Sequence, residues 1–275
     1  MTDEHASQGP APTPLQNYPA PPAEYWVEPT RPHRHPFVPY RPPLIDAVEG
    51  ERRGEAFCDF LETRRSVRYF SDAPVPQTMI EVAVHAANTA PSGAHLQPWT
   101  FVATSDPATK RAIRQAAERE ERVFYHEREV SAWRETLARL ETDEDKCYLD
   151  VVPWIVVAFA QKHTPLPDGT LRKNYYVNES VGIACGFFIA ALHTMGLSTL
   201  THTPNPMTFL NELLHRPSHE RAYILFPIGY PARDAEVPDL NRKTVSDTLV
   251  IHPAAPAADP GTPGPTPVAI TFTDL

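Results

Sequence analysis

Residues 64–76 read RRSVRYFSDAPVP, which puts Arg64, Arg65, Ser66 and Arg68 within one short stretch. A guanidinium fork matches the oxygen geometry of a phosphate and keeps its charge at any working pH. The chain is acidic, with a formal net charge of −9, so this basic knot points to an anionic ligand. Taken alone, the same arginines also suit a solvated surface. A second stretch, TAPSGAHLQPW at 89–99, holds Gly93 between Pro91-Ser92 and Ala94-His95, in a chain with only 11 glycines. Glycine among small residues lets backbone come close to a ligand; it also ends helices. Glu121 and Tyr125 stand four apart on a predicted helix and share a face. Lys146 follows in ETDEDKCYLD. An acid, a phenol and an amine can hold the ammonium and carboxylate of an amino acid, although a charge-rich solvated helix has the same pattern. Thr199, Thr201 and Thr203 alternate in STLTHTP. On a strand they face one side, either as hydroxyls toward a ring or phosphate or because threonine favours strands.

Other chemistries lack their residues. There is no GxGxxG after a strand, no GxxxxGK[ST] and no HExxH, so a Rossmann site, a P-loop and a zinc protease are not indicated. Cys58, Cys147 and Cys185 are scattered without a CxxC pair, which suits a reducing compartment and gives no metal framework. No nucleophile–histidine set announces itself, so a cofactor is expected to carry any chemistry. The acidic balance argues against nucleic acid as a partner.

The elements that must position these residues follow from punctuation and periodicity. Proline is abundant, 32 residues, and concentrated at the ends. Residues 1–45 form a Pro-rich arm, partly disordered, with Tyr25, Trp26, Phe37, Val38 and Tyr40 available to lie on a folded body. Residues 46–252 form the domain, and 253–275 a Pro/Ala/Thr-rich tail. AFCDFLETR and the stretch after Pro76 read as helices, and WTFVATS as a strand. Asp106-Pro107 caps a long polar helical segment that runs to about Leu140. DVVPWIVVAFAQ reads as a buried strand, and NYYVNESVGIACGFFIAALHTMG as a buried helix ending at Gly196. LSTLTHT reads as a strand, MTFLNELLH as a short helix and AYILFPIGYP as a last buried strand. The apolar run 181–192 is too short to span a bilayer, and the N-terminus lacks a secretory signal. This order has no strict βαβ rhythm, which predicts an α+β fold.

In register, RRSVR, TAPSGAHLQPWTF, EERVFY, KCYLD, NESVGIACG, LTHTP, RPSHE, GYP and VPDLNRK resemble the nitroreductase flavoprotein superfamily over about residues 60–250. Within it they are most similar to the iodotyrosine deiodinase branch, to which the Glu-Tyr-Lys trio points. The resemblance implies a mixed sheet flanked by helices and an intertwined homodimer with FMN at each interface. It implies Arg64, Arg65 and Ser66 on the phosphate and ribityl chain, Arg68 near the isoalloxazine edge, and Arg242 completing the phosphate grip. Pro91, Ser92 and Gly93 would line the cofactor, with Ala94 near the halogen-bearing carbon of the substrate. Thr201 would be the catalytic residue, donating a hydrogen bond toward flavin N5, with His202 and Thr203 supporting the same region. Glu121, Tyr125 and Lys146 would close over the substrate zwitterion.

The activity so implied is reductive dehalogenation of iodo-, bromo- or chlorotyrosine to tyrosine and halide, by stepwise one-electron transfer. NAD(P)H would supply the electrons, directly or through a reductase. The alternatives are a general NAD(P)H-dependent nitroreductase or quinone reductase and a non-catalytic flavin-binding protein; neither needs the trio. Animal members of the branch carry an N-terminal membrane anchor where this chain has its Pro-rich arm, so a soluble, cytoplasmic, bacterial-type relative is expected.

Overall fold

The structure is a computed structural model and describes residues 35–39, 44–127 and 131–252. The expectations for Tyr25, Trp26, Tyr40 and the 253–275 tail lie outside these residues. Phe37 and Val38 are exposed. The chain groups into two units, one reaching Pro238 and a smaller one starting at Asp239. The second unit, as far as it is described, holds a 3-10 turn at Val245–Asp247 with a Thr244 capping box.

Helix α1 spans Ala47–Glu62, with the Asp46 carboxylate accepting from Glu49 N, and none of its residues is buried. Helix α2 (Gln77–Asn88) buries Ile80, Ala83 and Ala87. Strand β1 is Trp99–Thr104. Helix α3 (Pro107–Glu127) starts at a proline, and Asp106 caps it by accepting from Thr109 N at 2.7 Å, as its sequence requires. Helices α4 (Ser131–Ala138) and α5 (Tyr148–Val151) follow, then strands β2 (Trp154–Gln161), β3 (His163–Pro165) and β4 (Leu171–Lys173). Helix α6 (Val177–Thr194), strand β5 (Ser198–Thr199), helix α7 (Thr208–Leu213) and strand β6 (Glu220–Gly229) complete the first unit.

The main sheet has the order β1-β2-β6-β5. Its strand pairs are antiparallel, and an isolated parallel bridge from Ser66 to Thr199 makes the edge mixed. Strand β2 is apolar without interruption because both its faces are covered. Val156, Ala158 and Ala160 meet α2 and α6 through Ala83, Ala87, Ala184 and Phe188. Ile155, Val157 and Phe159 meet Ile113 of α3, Leu149 of α5 and Leu210 of α7. Alternation of side chains across the strand makes this sorting automatic. Helix α6 is apolar and long enough to cross a membrane by composition alone, but it packs on α2 and the sheet as a core helix.

Two expectations need correction. The strand predicted from Asp150 starts at Trp154, because Pro153 has no N–H to give the ladder and residues 148–151 take a helical turn instead. Of the helix expected to run to about Leu140, the structure describes α3 and α4, on either side of residues 128–130, which lie outside the described residues. The strand expected over 197–203 is only Ser198–Thr199. Pairing resumes at His202, which exchanges both backbone bonds with Leu225 at 2.9 and 3.0 Å. In that unbroken register Leu200 faces Pro227, which cannot donate. The Thr199 hydroxyl replaces the lost donor, reaching Leu200 O at 3.3 Å. Losing one ladder bond costs about 1 kcal/mol. Burial of the flanking Leu225, Phe226 and Ile228, about 1.5–3 kcal/mol each, outweighs it. The β3–β4 hairpin was not anticipated; its Asp168-Gly169 turn, with Gly169 at φ +82, is its one local signal.

Strand β6 opens on Glu220, only 5% exposed. Its carboxylate accepts from Arg216 Nε at 2.7 Å and from Thr100 Oγ1 at 2.7 Å. Burial opposes the charge, but these bonds win and hold the carboxyl below its ordinary value. A lowered carboxyl stabilises the fold above its unfolded pKa and loses that contribution as pH falls through the folded one. Stability should therefore decline from about the ordinary carboxylate value of 4.5 downward. Glu220→Gln should lower urea stability at neutral pH by about 1–3 kcal/mol and flatten the acid limb. Unchanged unfolding midpoints across pH 3–7 would remove Glu220 from this role.

Candidate active site

After α1 ends, the chain turns so that Ser66 bridges Thr199 and Val67 N donates to Thr199 O at 3.3 Å. This fastens the arginine stretch to the β5 edge. Thr63, Arg64, Arg65, His193, Ser198 and Thr199 line a cavity of about 230 Å³ with Ile189 and Leu197 in its wall. The Arg65 guanidinium also donates to the Pro238 carbonyl. Two guanidinium groups, several hydroxyls and an apolar wall form a cradle suited to a phosphorylated, partly apolar group. His193 was missed in the sequence. Its Nε2 is 2.8 Å from Thr63 Oγ1, and its ring stacks near Phe60 with centroids 4.5 Å apart. Nothing near position 193 in the chain signals that partnership, which spans 130 residues. Arg242 belongs to the smaller unit. A larger groove, about 550 Å³, runs between α2 and Trp154 past Glu81 and His85. It contains none of the expected site residues.

The acid, phenol and amine do come together. Lys146, just before α5, is 2% exposed, donates through Nζ to Asp143 O and lies 4.0 Å from Glu121 Oε2. Tyr125 OH donates to Thr142 O at 2.9 Å. Burial raises the Glu121 carboxyl above its ordinary value, with the Lys146 charge opposing. Burial lowers the Lys146 ammonium, with Glu121 opposing. The pair is thus desolvated and loosely matched. The Arg68 charge acts on Tyr125, Lys146 and Tyr148, and Arg68 is not among the residues that line the cradle.

Along residues 200–203, exposure alternates. Thr201 and Thr203 are exposed, and Leu200 and His202 are buried. Thr199, expected in the same row, is buried by the 63–67 segment. The His202 ring packs edge-on to Tyr148 at 6.4 Å, and its buried Nε2 has no partner among the described residues. Burial first, then the Lys146 and Arg68 charges, push its pKa down to about 3, so it is neutral. His202 offers the surface little, unlike the threonines beside it.

The 89–99 turn sits elsewhere. Helix α2 ends at Asn88, so Gly93 is not its cap. Ser92 Oγ accepts from Gln97 N at 3.0 Å, and Gly93 N donates to Ser180 Oγ at 3.3 Å. Ala94, His95 and Gln97 all take left-handed backbone at φ 49, 54 and 47, as does Tyr176 at φ 51. Such strain in non-glycine residues gathers at functional sites. A Cβ on Gly93 would lie 2.9 Å from Tyr176 Cδ2. The close approach that glycine permits is therefore made to Tyr176, at the start of α6. The arginine cradle borders His193, at the other end. By helical rise, Ser180 and His193 are roughly 20 Å apart.

Gly93→Ala should lower thermal stability by about 1–3 kcal/mol through overpacking. Tyr176→Ala should relieve part of that loss in the double variant, a coupling read by a double-mutant cycle. Purely additive effects would mean that Tyr176 is not what excludes a side chain at 93.

Comparison with known proteins bears on the whole arrangement. The model of the Nitroreductase family matches residues 61–230. An iodotyrosine deiodinase of Haliscomenobacter hydrossis is 49% identical over 216 residues, covering 78% of this chain and 97% of that protein. An iodotyrosine deiodinase of Danio rerio is 43% identical, covering 83% and 78%. Among solved structures, oxidized iodotyrosine deiodinase bound to FMN and 3-iodo-L-tyrosine aligns with a TM-score of 0.62 at 27% identity, covering 71% of this chain and 100% of that chain. The nitroreductase with bound FMN from Bacteroides fragilis, at 20% identity and a TM-score of 0.52, shares the fold. With these matches and the assembled trio, the chain belongs to the nitroreductase family and, within it, to the iodotyrosine deiodinases.

Proposed function

We propose that the protein is an FMN-dependent reductive dehalogenase of halotyrosines that works as a homodimer. The observation that carries this reading is the meeting of partly buried Glu121 and Tyr125 with buried Lys146, with the Arg68 charge acting on Tyr125 and Lys146. An unselective reductase has no use for two desolvated opposite charges at that spacing. The overall change replaces a carbon–halogen bond by carbon–hydrogen, consumes two electrons and one proton, and releases halide. When bound, FMN supplies electrons singly or in pairs, which suits a stepwise cleavage. NAD(P)H, directly or through a reductase, would restore them.

The residues fit the cofactor. Arg64, Arg65 and Ser66 would hold the phosphate and ribityl chain in the cradle, and Arg68 the edge of the ring system between cradle and trio. Thr201, exposed between buried neighbours, would donate its hydroxyl toward flavin N5, with Thr203 beside it. Pro91, Ser92 and Gly93 would line the flavin, and Ala94 would leave room for the halogen. The contact of Arg242 rests on resemblance alone. Glu121 would take the substrate ammonium, Lys146 its carboxylate, and Tyr125 would add a hydrogen bond. Together they would shield the reacting ring from water. Cytoplasmic residence suits the free cysteines.

A second copy explains two features that one chain leaves open. The Ser92–Ala94 turn and the arginine cradle stand at opposite ends of α6. The outer face of α6 exposes Ile183 and Phe187, and α1 exposes Val48 and Phe57. Two α6 helices packed antiparallel about a two-fold axis would cover these apolar groups. They would also bring the turn of one copy to the cradle of the other.

Lys146→Ala and Glu121→Gln should reduce kcat/KM for halotyrosine by about a hundredfold, as expected for a lost charged contact, while nitroaromatic reduction changes little. Halotyrosine activity should also fall on the acid side at a pH above the ordinary carboxylate value of 4.5, as Glu121 protonates. On the alkaline side it should fall below the ordinary lysine value of 10.5, as Lys146 loses its proton. Glu121→Gln should erase the first limb. Equal loss on both substrates would sink the assignment.

Phe187→Glu places a charge on the outer face of α6. Sedimentation should show a monomer that no longer retains FMN, with its circular dichroism preserved. A dimer, or a monomer that keeps stoichiometric FMN, would overturn the shared-site arrangement.

A further inference from the structure

Lys110, Arg114, Glu118, Glu121 and Tyr125 recur at three- and four-residue steps along α3 and so lie on one face. Glu121 and Tyr125 belong to the trio. The other three grip the segment that carries Lys146. Lys110 Nζ donates to Val152 O at 2.6 Å and reaches Asp150 O at 3.4 Å. Arg114 donates to three carboxylates at once: Glu118 Oε1 at 2.6 Å, Asp145 Oδ1 at 3.1 Å and Asp150 Oδ2 at 2.9 Å. The same Glu118 oxygen accepts from the backbone N–H of Lys146 at 3.0 Å, and Asp145 also accepts from Cys147 N at 2.8 Å.

We infer that Arg114 is a positioning residue for amino-acid recognition: its fork sets where Lys146 stands relative to Glu121. The inference rests on the proposed halotyrosine activity for its kinetic part only. Residue 145 precedes Lys146 and residue 150 follows it, and both are tied to the guanidinium. The backbone of Lys146 is tied to the carboxylate that the same guanidinium orders. Glu121 lies one turn beyond Glu118 on the same helix. Arg114 thereby links the group that would take an ammonium to the group that would take a carboxylate, without touching either. The three bonds leave three separate nitrogens, Nε, Nη1 and Nη2, so the single nitrogen of a lysine is not an equivalent replacement.

The test compares Arg114→Gln and Arg114→Lys with the wild type and with Lys146→Ala. Two measurements are made. The first is reductive methylation of the folded protein followed by peptide mass spectrometry, which reads exposure of the Lys146 amine without any turnover. The second is steady-state kinetics with iodotyrosine and with a nitroaromatic. In both Arg114 variants, methylation of Lys146 should accelerate several-fold while other lysines keep their rates. KM for iodotyrosine should rise by roughly tenfold or more with kcat changed much less, the signature of lost ground-state grip. Nitroaromatic turnover and bound FMN should stay within about twofold of wild type, since neither uses this grip. Wild-type methylation and wild-type KM in either well-folded variant would overturn the inference. So would a parallel fall of both activities with loss of FMN, which marks a general structural role. If the wild type itself fails to dehalogenate iodotyrosine, the proposed function falls, and the methylation result still decides whether Arg114 positions Lys146.

Discussion

Charge burial along one face of α3 is the constraint around which the site is arranged. An ammonium or carboxylate removed from water is destabilised by several kcal/mol unless partners replace the solvent. Lys110 and Arg114 find those partners in backbone carbonyls and carboxylates of residues 145–152. The segment cannot leave α3 without stranding them. Further along, the compensation is left incomplete. Glu121 and Lys146 stand 4.0 Å apart, close enough to sense each other and too far for a full hydrogen bond. The helix is thus held tightly at its start by charge-assisted bonds and carries a looser ion pair near its end.

The sheet serves the same purpose from below. Strand β2 is buried on both faces and fixes α2 and α6 on one side and α3, α5 and α7 on the other. The arginine stretch hangs on the β5 edge through Ser66 and Val67. The residues expected to touch a flavin thus sit on the margins of a stiff core, on short irregular connections, as functional loops usually do.

What could be read from the chain, and what could not, divides by range. The apolar run WIVVAFAQ, the Asp106-Pro107 start of α3 and the Pro76 that precedes α2 are local signals, and the structure follows them. Gly93 could be noticed but not explained, because Tyr176 is far along the chain. The truncated β5 depends on Pro227, which no local pattern at 198–203 contains. The charged stretch of α3 looks solvated in sequence, since nothing local says that Asp145 and Asp150 will fold back onto Arg114. The trio, by contrast, was visible through resemblance before any geometry, and the fold does assemble it.

The gap that Pro227 leaves in the β5–β6 ladder bears on how this chain can diverge. Thr199 does not share the solvent-facing situation of Thr201 and Thr203; its hydroxyl completes a carbonyl that the proline cannot serve. A valine at 199 would have nearly the same shape and would still strand that oxygen. A relative with any other residue at 227 has an N–H to offer and is released from the requirement. Positions 199 and 227 should therefore covary across the family, whereas the identity of residue 201 should follow the ligand.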